Sequence, residues 1–434
     1  MTRFFGLRQE PGGALVVDRR SGKHWCVPPS QGLIYSLWDG KRTIRVLADI
    51  VGTTYDVSYD KAIVAVCDSV QLLKQINLYA DMAVPLRQSD PRKYLFRAEP
   101  NTVDLGVLSA PISVELMLTN TCNMRCAYCY MSAQQATRRK PQYLPFSLCS
   151  KILNEAASIG LQRIFISGGE PMLNPDANRV IEAAVERGIF PYVSTNGLLV
   201  TEEFLDILSL PEVGFVQVSF DTADKHEFAL ITGKQHIFGR VAHNIKKIVQ
   251  RGIDVRIKTV VTRLNCTNIG PTIAFLDALG VSEIELVAAS PSASGRDGLS
   301  NLMLTDKEFA KIQEQIAVHW NHATVHFSNP LAKDLGKKTP KMCGGGIESL
   351  VVFPDGDVGI CSMLRDSRFV FGNAHNKSLH NIWMCDALAR FRRLDGVQLR
   401  EPCINCTSLE TCRTGCFSIS KALFDDPFHP FPTC

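Results

Sequence analysis

The sequence predicts an α/β protein: a partial (β/α)6 barrel of the TIM-like kind, preceded by a small winged-helix-like α+β domain and followed by a loop-rich, metal-binding domain. Three observations carry this. Strand-like segments alternate with amphipathic helical stretches through residues 111–300, a rhythm that implies parallel strands with helices packed outside them. A hairpin followed by two helical patterns occupies the first 88 residues. Beyond residue 330 periodic segments are short, and seven cysteines gather there.

A chain of 434 residues exceeds one ordinary core. The expected division is 1–88, a proline-spaced linker at 89–110, the barrel at 111–300 and the cysteine-rich domain at 301–434. Formal net charge is +4 and spread along the chain, which argues against a nucleic-acid binder. The N-terminus lacks the apolar stretch of a secretory signal. No apolar run approaches the roughly 20 residues that span a bilayer, so no membrane partner is expected. The protein reads as cytoplasmic, where thiols stay reduced; fifteen cysteines then point to metal ligation and not to disulfides.

In the first domain Ala14 to Val17 and His24 to Val27 form the hairpin, and Thr43–Val51 and Ser58–Ile76 carry helical periodicity. The barrel strands are expected at 112–118, 163–167, 191–195, 215–220, 254–261 and 283–288, with helices such as Asn178 to Arg187 and Phe238 to Arg251 between them. Chemistry in such barrels sits at the C-terminal ends of the strands. "LTNTCNMRCAYCY" (118–130) and "SGGEP" (167–171) both follow strands at that end.

Cys122, Cys126 and Cys129 fall within eight residues, with no fourth cysteine or histidine nearby. A zinc knuckle needs that fourth ligand. Three thiolates on a four-iron cluster leave one iron open to a small molecule. Written C-x-x-x-C-x-aromatic-C, the loop resembles the defining motif of the radical SAM enzymes. The resemblance implies that S-adenosylmethionine (SAM) binds the open iron of a [4Fe-4S] cluster and is cleaved to a 5′-deoxyadenosyl radical. It further implies SAM contacts at Gly168, Gly169 and Glu170, at Ser194 and Asn196 of "STNG", at Ser219 and Asp221 of "SFD", and at Tyr128 against the adenine. The family's basic residue for the SAM carboxylate has no counterpart in "HEFALITGKQHIF" (226–238), and no catalytic residue is assigned.

Cys343, Cys361, Cys403, Cys406, Cys412, Cys416 and Cys434 resemble the SPASM extension of the same enzymes in their spacing. That implies two auxiliary iron–sulfur clusters, one on Cys343, Cys361 and Cys416 and the other on Cys403, Cys406, Cys412 and Cys434. The first again lacks a fourth thiolate: either a carboxylate such as Asp334 completes it or one iron is open to substrate. Cys26, Cys67, Cys149, Cys266 and Cys385 belong to no motif and read as buried small hydrophobes.

The first domain resembles the precursor-peptide recognition element of ribosomal peptide maturases, similar to the peptide chaperone of pyrroloquinoline quinone biosynthesis. It implies a precursor peptide whose leader adds a strand to the sheet edge. The expected activity is an intramolecular carbon–carbon or thioether crosslink, with a reductant such as flavodoxin or ferredoxin as further partner. A sulfatase-maturing enzyme is the alternative, although Ser362 stands after Cys361 where that subfamily has an aspartate base. A radical SAM dehydrogenase of small molecules and a non-enzymatic iron–sulfur DNA-binding regulator are the remaining alternatives.

Overall fold

The computed structural model describes residues 5–19, 23–39, 41–76, 108–131, 140–294, 299–317, 320–331 and 343–432. The N-terminal module is an antiparallel sheet of β1 (Phe5–Glu10), β2 (Gly13–Asp18) and β3 (His24–Val27) in that order. Three helices cover it: α1 (Pro29–Leu37), α2 (Ile44–Tyr55) and α3 (Tyr59–Gln75). The Thr43 side chain caps α2 by accepting from the Val46 N–H.

The hairpin and two helices match the sequence reading, but β1 and α1 were not anticipated. Arg8 and Glu10, 5% and 4% exposed, are both buried in β1, so its inward positions do not read as apolar. Helix α1 opens after Pro28 with Pro29 and contains Gly32, which reads as turn chemistry. The linker expected at 89–110 lies outside the described residues except for 108–110.

The remainder is organised by one sheet of ten strands. Its parallel centre is β4 (Ser113–Met117), β5 (Arg163–Ser167), β6 (Phe190–Thr195), β7 (Val216–Ser219), β8 (Val255–Val261) and β9 (Glu283–Ala288). These are the expected strands to within one residue at each end. Helices α4 (Phe146–Ser158), α5 (Ala177–Glu186), α6 (Glu202–Leu208), α7 (Lys225–Thr232), α8 (Phe238–Gln250) and α9 (Ile269–Ala278) connect them.

Both sheet edges extend beyond the six units. After α10 (Asp306–Ile316), β10 (Thr324–Ser328) adds parallel to β9. On the other edge β11 (Ser349–Val352) pairs parallel to β4, followed by antiparallel β12 (Asp357–Gly359) and β13 (Val370–Asn373). Residues 301–328, grouped with the C-terminal domain from sequence, thus continue the barrel rhythm. Strand β10 alternates between exposed and half-buried positions, so no apolar run marks it.

Four short helices complete the C-terminal part: α11 (Leu379–Trp383), α12 (Asp386–Arg393), α13 (Leu409–Cys412) and α14 (Phe417–Phe424). Short as its periodic segments are, this region carries a substantial apolar core. Phe369, Leu379, Ile382, Trp383, Leu388, Phe391 and Phe417 are buried in the same core as the barrel strands. Within it the Phe391 and Phe417 rings lie 5.3 Å apart.

The N-terminal module is fixed to this body. Ala14 and Val16 of β2 face the module's own helices, whereas Leu15 and Val17 join the main core. Arg8 donates from Nε to Glu10 Oε1 at 2.6 Å, and from Nη1 and Nη2 to the carbonyls of Pro111 and Ala110 at 2.7 and 2.8 Å. Glu10 Oε2 accepts from the Ser109 N–H at 2.6 Å. A buried pair with every partner satisfied stabilises little against an apolar replacement, but losing one member strands the other charge. Arg8→Met is therefore expected to cost about 3–5 kcal/mol in urea unfolding, and Arg8→Met with Glu10→Leu to recover most of it.

Candidate functional site

The expected site segments all lie at the C-terminal ends of β4 to β7. The cysteine loop and the glycine loop are joined through backbone. Gly169 and Glu170 donate N–H bonds to the carbonyls of Thr119 and Thr121 at 2.9 and 2.8 Å. A Cβ on Gly169 would lie 1.9 Å from the Thr121 oxygen, and one on Gly168, whose φ is +132°, 2.5 Å from the Thr119 oxygen. The glycines are thus required by the approach of one loop to the other, in addition to the ligand contact expected of them.

Glu170 also binds across the loops. Its carboxylate is fully buried and accepts from the Met172 N–H (3.2 Å), the Thr195 hydroxyl (2.8 Å) and the Asn196 N–H (2.8 Å). It holds the ends of β5 and β6 together. Burial pushes its carboxyl up to about 7, with those three bonds pulling the other way. Asn196 in turn donates from Nδ2 to Asn123 Oδ1 at 2.6 Å, with Cys122 Sγ 3.8 Å away. Tyr128, expected against an adenine, donates its hydroxyl to Asp221 Oδ2 at 2.6 Å, while Asp221 Oδ1 accepts from the Val260 N–H. Burial raises Asp221 to about 6. Ser194 accepts from Gln217 at 3.0 Å, and Ser219 is half-buried at the end of β7.

Cys122, Cys126 and Cys129 come together on this loop. Burial pushes the Cys122 thiol up to about 11, aided by Glu170 and Cys129. Cys126 is raised well above its usual range by burial, Asp221 and its two neighbouring thiols. Grouped thiols among carboxylates are poor sites for bare thiolates, and a metal centre supplies the positive charge that makes them stable. The donor set therefore fits the expected cluster.

The second group assembles as expected: Cys343, Cys361 and Cys416 perturb one another, and burial raises Cys361 to about 12. Cys403 and Cys412 are buried and Cys406 is exposed. Cys434 and Asp334 lie outside the described residues. Among the described residues no three His, Cys, Asp or Glu close on a single metal ion. Of the cysteines without a motif, Cys149 and Cys266 are buried as expected. Cys26 and Cys67 are exposed, and Cys385 caps α12 through its sulfur.

One group escaped the sequence reading. The inner face of the sheet is polar: Glu115, Ser167, Ser194, Gln217, Ser219 and Lys258 share it by register. Glu115 accepts from the Ser167 hydroxyl and bonds the Ser362 side chain. Ser362 also bonds Tyr130, which lies beside Cys129. Burial raises the Glu115 carboxyl, with Ser167, Ser362 and Lys258 opposing. Alternation in "SVELM" and "VRIKTVV" carried this signal, because a strand with helices on one face and an open interior on the other alternates apolar and polar.

A family model described as the radical SAM superfamily matches residues 116–266, and one described as the SPASM iron–sulfur cluster-binding domain matches 343–407. The chain is 27% identical over 319 residues to the mycofactocin maturase MftC of Mycobacterium tuberculosis, covering 72% of this chain and 79% of that one. It is 26% identical over 329 residues to the PqqA peptide cyclase of Methylocella silvestris, covering 75% and 87%. Among solved structures it resembles Streptococcus suis SuiB bound to precursor peptide SuiA, with TM-score 0.73 at 17% identity over 99% of this chain and 98% of that one. It also resembles anSMEcpe with bound AdoMet, with TM-score 0.60 at 19% identity over 74% and 94%. The first matched segment holds Cys122, Cys126 and Cys129, the second holds Cys343 and Cys361 with Cys416 just beyond its end, and the chain is thus an enzyme that carries a radical SAM domain and a SPASM iron–sulfur domain and is homologous to peptide maturases.

Proposed function

We propose that this enzyme modifies a ribosomally made precursor peptide, closing an intramolecular carbon–carbon or thioether crosslink. The observation that carries this is the N-terminal module, built into the main core, in a fold that matches SuiB over 99% of the chain. The names of its relatives, a maturase and a peptide cyclase, support the same substrate class. A leader would add to the sheet at edge strand β3, where Cys26 is exposed. The module meets Ala110, Pro111, Gln162 and Glu348, all at the N-terminal ends of β4, β5 and β11. A peptide held there must run the length of a strand, roughly 17 Å, to reach the cysteine loop, so at least about five residues separate leader from modified residue.

SAM at a reduced iron–sulfur cluster supplies the hydrogen-abstracting radical. Cys122, Cys126 and Cys129 hold that cluster, and Tyr128, Gly168, Gly169, Ser194, Asn196, Ser219 and Asp221 form the walls for SAM. Glu170 keeps those walls in register through the Thr195 and Asn196 bonds. A crosslink removes two hydrogens from the peptide, one as an atom and one as a proton with an electron left over. Glu115 stands on the inner face to take the proton, with Ser167 and Ser362 aiming it. Cys343, Cys361 and Cys416, with Cys403, Cys406, Cys412 and Cys434, would hold the auxiliary centres, which would supply an acceptor for that electron. An external one-electron donor such as flavodoxin or ferredoxin would serve as reductant for the centre on Cys122, Cys126 and Cys129.

Anaerobic reconstitution is expected to give roughly twelve irons per chain, with SAM cleavage and a peptide lighter by two hydrogens. Turnover of the same core peptide without its leader would reassign the substrate to free small molecules. Glu115→Gln is expected to keep forming 5′-deoxyadenosine while crosslinking slows on the order of 10²–10⁴-fold; an unslowed crosslink removes Glu115 from the chemistry.

Glu170 gives a pH signature. Its folded value of about 7 exceeds the ordinary 4.5, so between these values the folded chain holds a proton that the unfolded chain has lost. Stability should fall as pH rises from about 5 to 7, by up to about 3 kcal/mol, and level off above. Denaturant midpoints of Glu170→Gln measured across that range should lack the slope.

A further inference from the structure

A buried arginine stands beside the second thiol group with part of its hydrogen-bonding capacity unused. Arg413 is 3% exposed. Its Nη2 donates to the Phe391 carbonyl at 2.6 Å, while Nε and Nη1 meet no acceptor among the described residues. The guanidinium lies 4.6 Å from the Phe391 ring centre and 5.7 Å from that of Phe417. Arg392 lies close by, over the Trp383 ring at 4.1 Å, with Nε on the Gly346 carbonyl and Nη2 without an acceptor. An arginine keeps its charge when buried, and a buried charge without an anion costs several kcal/mol.

The backbone adds a second observation. Arg413, Thr414 and Gly415 have φ of 54°, 68° and 94°, three left-handed residues in succession between Cys412 and Cys416. The two that are not glycine cost about 1–3 kcal/mol each, strain that persists only where the surroundings impose it. The turn directs Arg413 inward, and the Thr414 hydroxyl, 1% exposed, is likewise unpartnered among the described residues. Among the described residues the acidic group within electrostatic reach of Arg413 is the Cys343 thiol.

We propose that Arg413, assisted by Arg392, is the counter-cation of the centre held by Cys343, Cys361 and Cys416, donating its free N–H groups to sulfur and raising that centre's reduction potential. This rests on the reading that those three thiolates hold an iron–sulfur cluster. Reduction adds one negative charge to the cluster, so a fixed buried cation favours the reduced form, and hydrogen bonds to sulfur act in the same sense. A centre so placed is suited to accept the electron left on the substrate.

The test is a redox titration followed by electron paramagnetic resonance. It uses the reconstituted full chain with Cys122, Cys126 and Cys129 changed to alanine, leaving only the auxiliary centres. The signal lost on Cys361→Ala identifies the centre in question. Arg413→Gln should lower its ratio of reduced to oxidised form at least tenfold at fixed potential, about 59 mV for one electron. Arg413→Lys should shift it less, and the other auxiliary centre should stay in place. A midpoint unchanged in Arg413→Gln at full iron content overturns the proposal. Should Arg413→Gln lose the centre, Arg392→Gln decides: a shift in the same direction supports the proposal, and none overturns it. If Cys361→Ala removes neither iron nor signal, the cluster reading itself fails, whatever the arginines do.

Discussion

Two loops make the site, and the contact between them has room for no side chain at Gly169. With the Thr121 oxygen 1.9 Å from where a Cβ would sit, the backbone of residues 168–170 can lie against that of residues 119–121 and donate N–H bonds to it. Everything else in the site hangs from that contact. It sets where the Glu170 carboxylate enters the interior, and Glu170 then fixes Thr195 and Asn196 at the end of the next strand. Asn196 reaches back to Asn123 inside the cysteine loop. The result is a ring of bonds through three strand ends, closed without solvent. Such a ring positions three thiols before any cofactor arrives, which is the condition for a precise site on a loop.

The rest of the molecule makes that site one part of a single body. The barrel, one face of the N-terminal sheet and the helices around Trp383 share a continuous core. The Trp383 indole donates to the Leu108 carbonyl at 2.6 Å, tying the C-terminal region to the entry of β4. A substrate held on the N-terminal module is therefore held at a set distance from the cysteine loop. The module raises the effective concentration of the core peptide only if the peptide's own length spans the gap. Selection of the modified residue follows from geometry as much as from recognition of its side chain.

How much of this was legible depended on which periodicity each element carried. The six central strands were readable because helices flank each one, and their outward positions, such as Val114, Leu116, Ile164 and Ile166, are wholly apolar. The thiols were readable because ligands recur at fixed spacing whatever the fold does between them. Strand β1 was not, since its buried positions hold Arg8 and Glu10, whose partners come from residues 109–111. Strand β10 was not, since as an edge strand it buries little. Glu115 was missed for a related reason: a lone carboxylate in a strand looks like a solvent-facing position until the opposite side is known to be an interior. The loop-to-loop contacts of Gly169 and Glu170 were not legible, because a motif names residues without saying which face of a loop they occupy.

The two three-thiol groups differ in the charges set around them, and with clusters on both groups this difference would give the electron a direction. Cys126 lies near Asp221 and Cys122 near Glu170, carboxylates that disfavour added negative charge on the first group. Cys343 lies near Arg413, which favours it on the second. Glu115 acts against this at Cys361, and Ser167, Ser362 and Lys258 offset part of the burial that raises its carboxyl. A centre among carboxylates is harder to reduce and, once reduced, a stronger donor, which cleavage of a sulfonium requires. A centre beside guanidinium groups is easier to reduce, which suits the acceptor of a substrate electron. Glu115 stands between them on the inner face, where loss of a proton from the peptide can accompany loss of the electron. The chain would thus set a donor, a proton acceptor and an electron acceptor in order, and the arginines that bias the last of these touch neither SAM nor peptide.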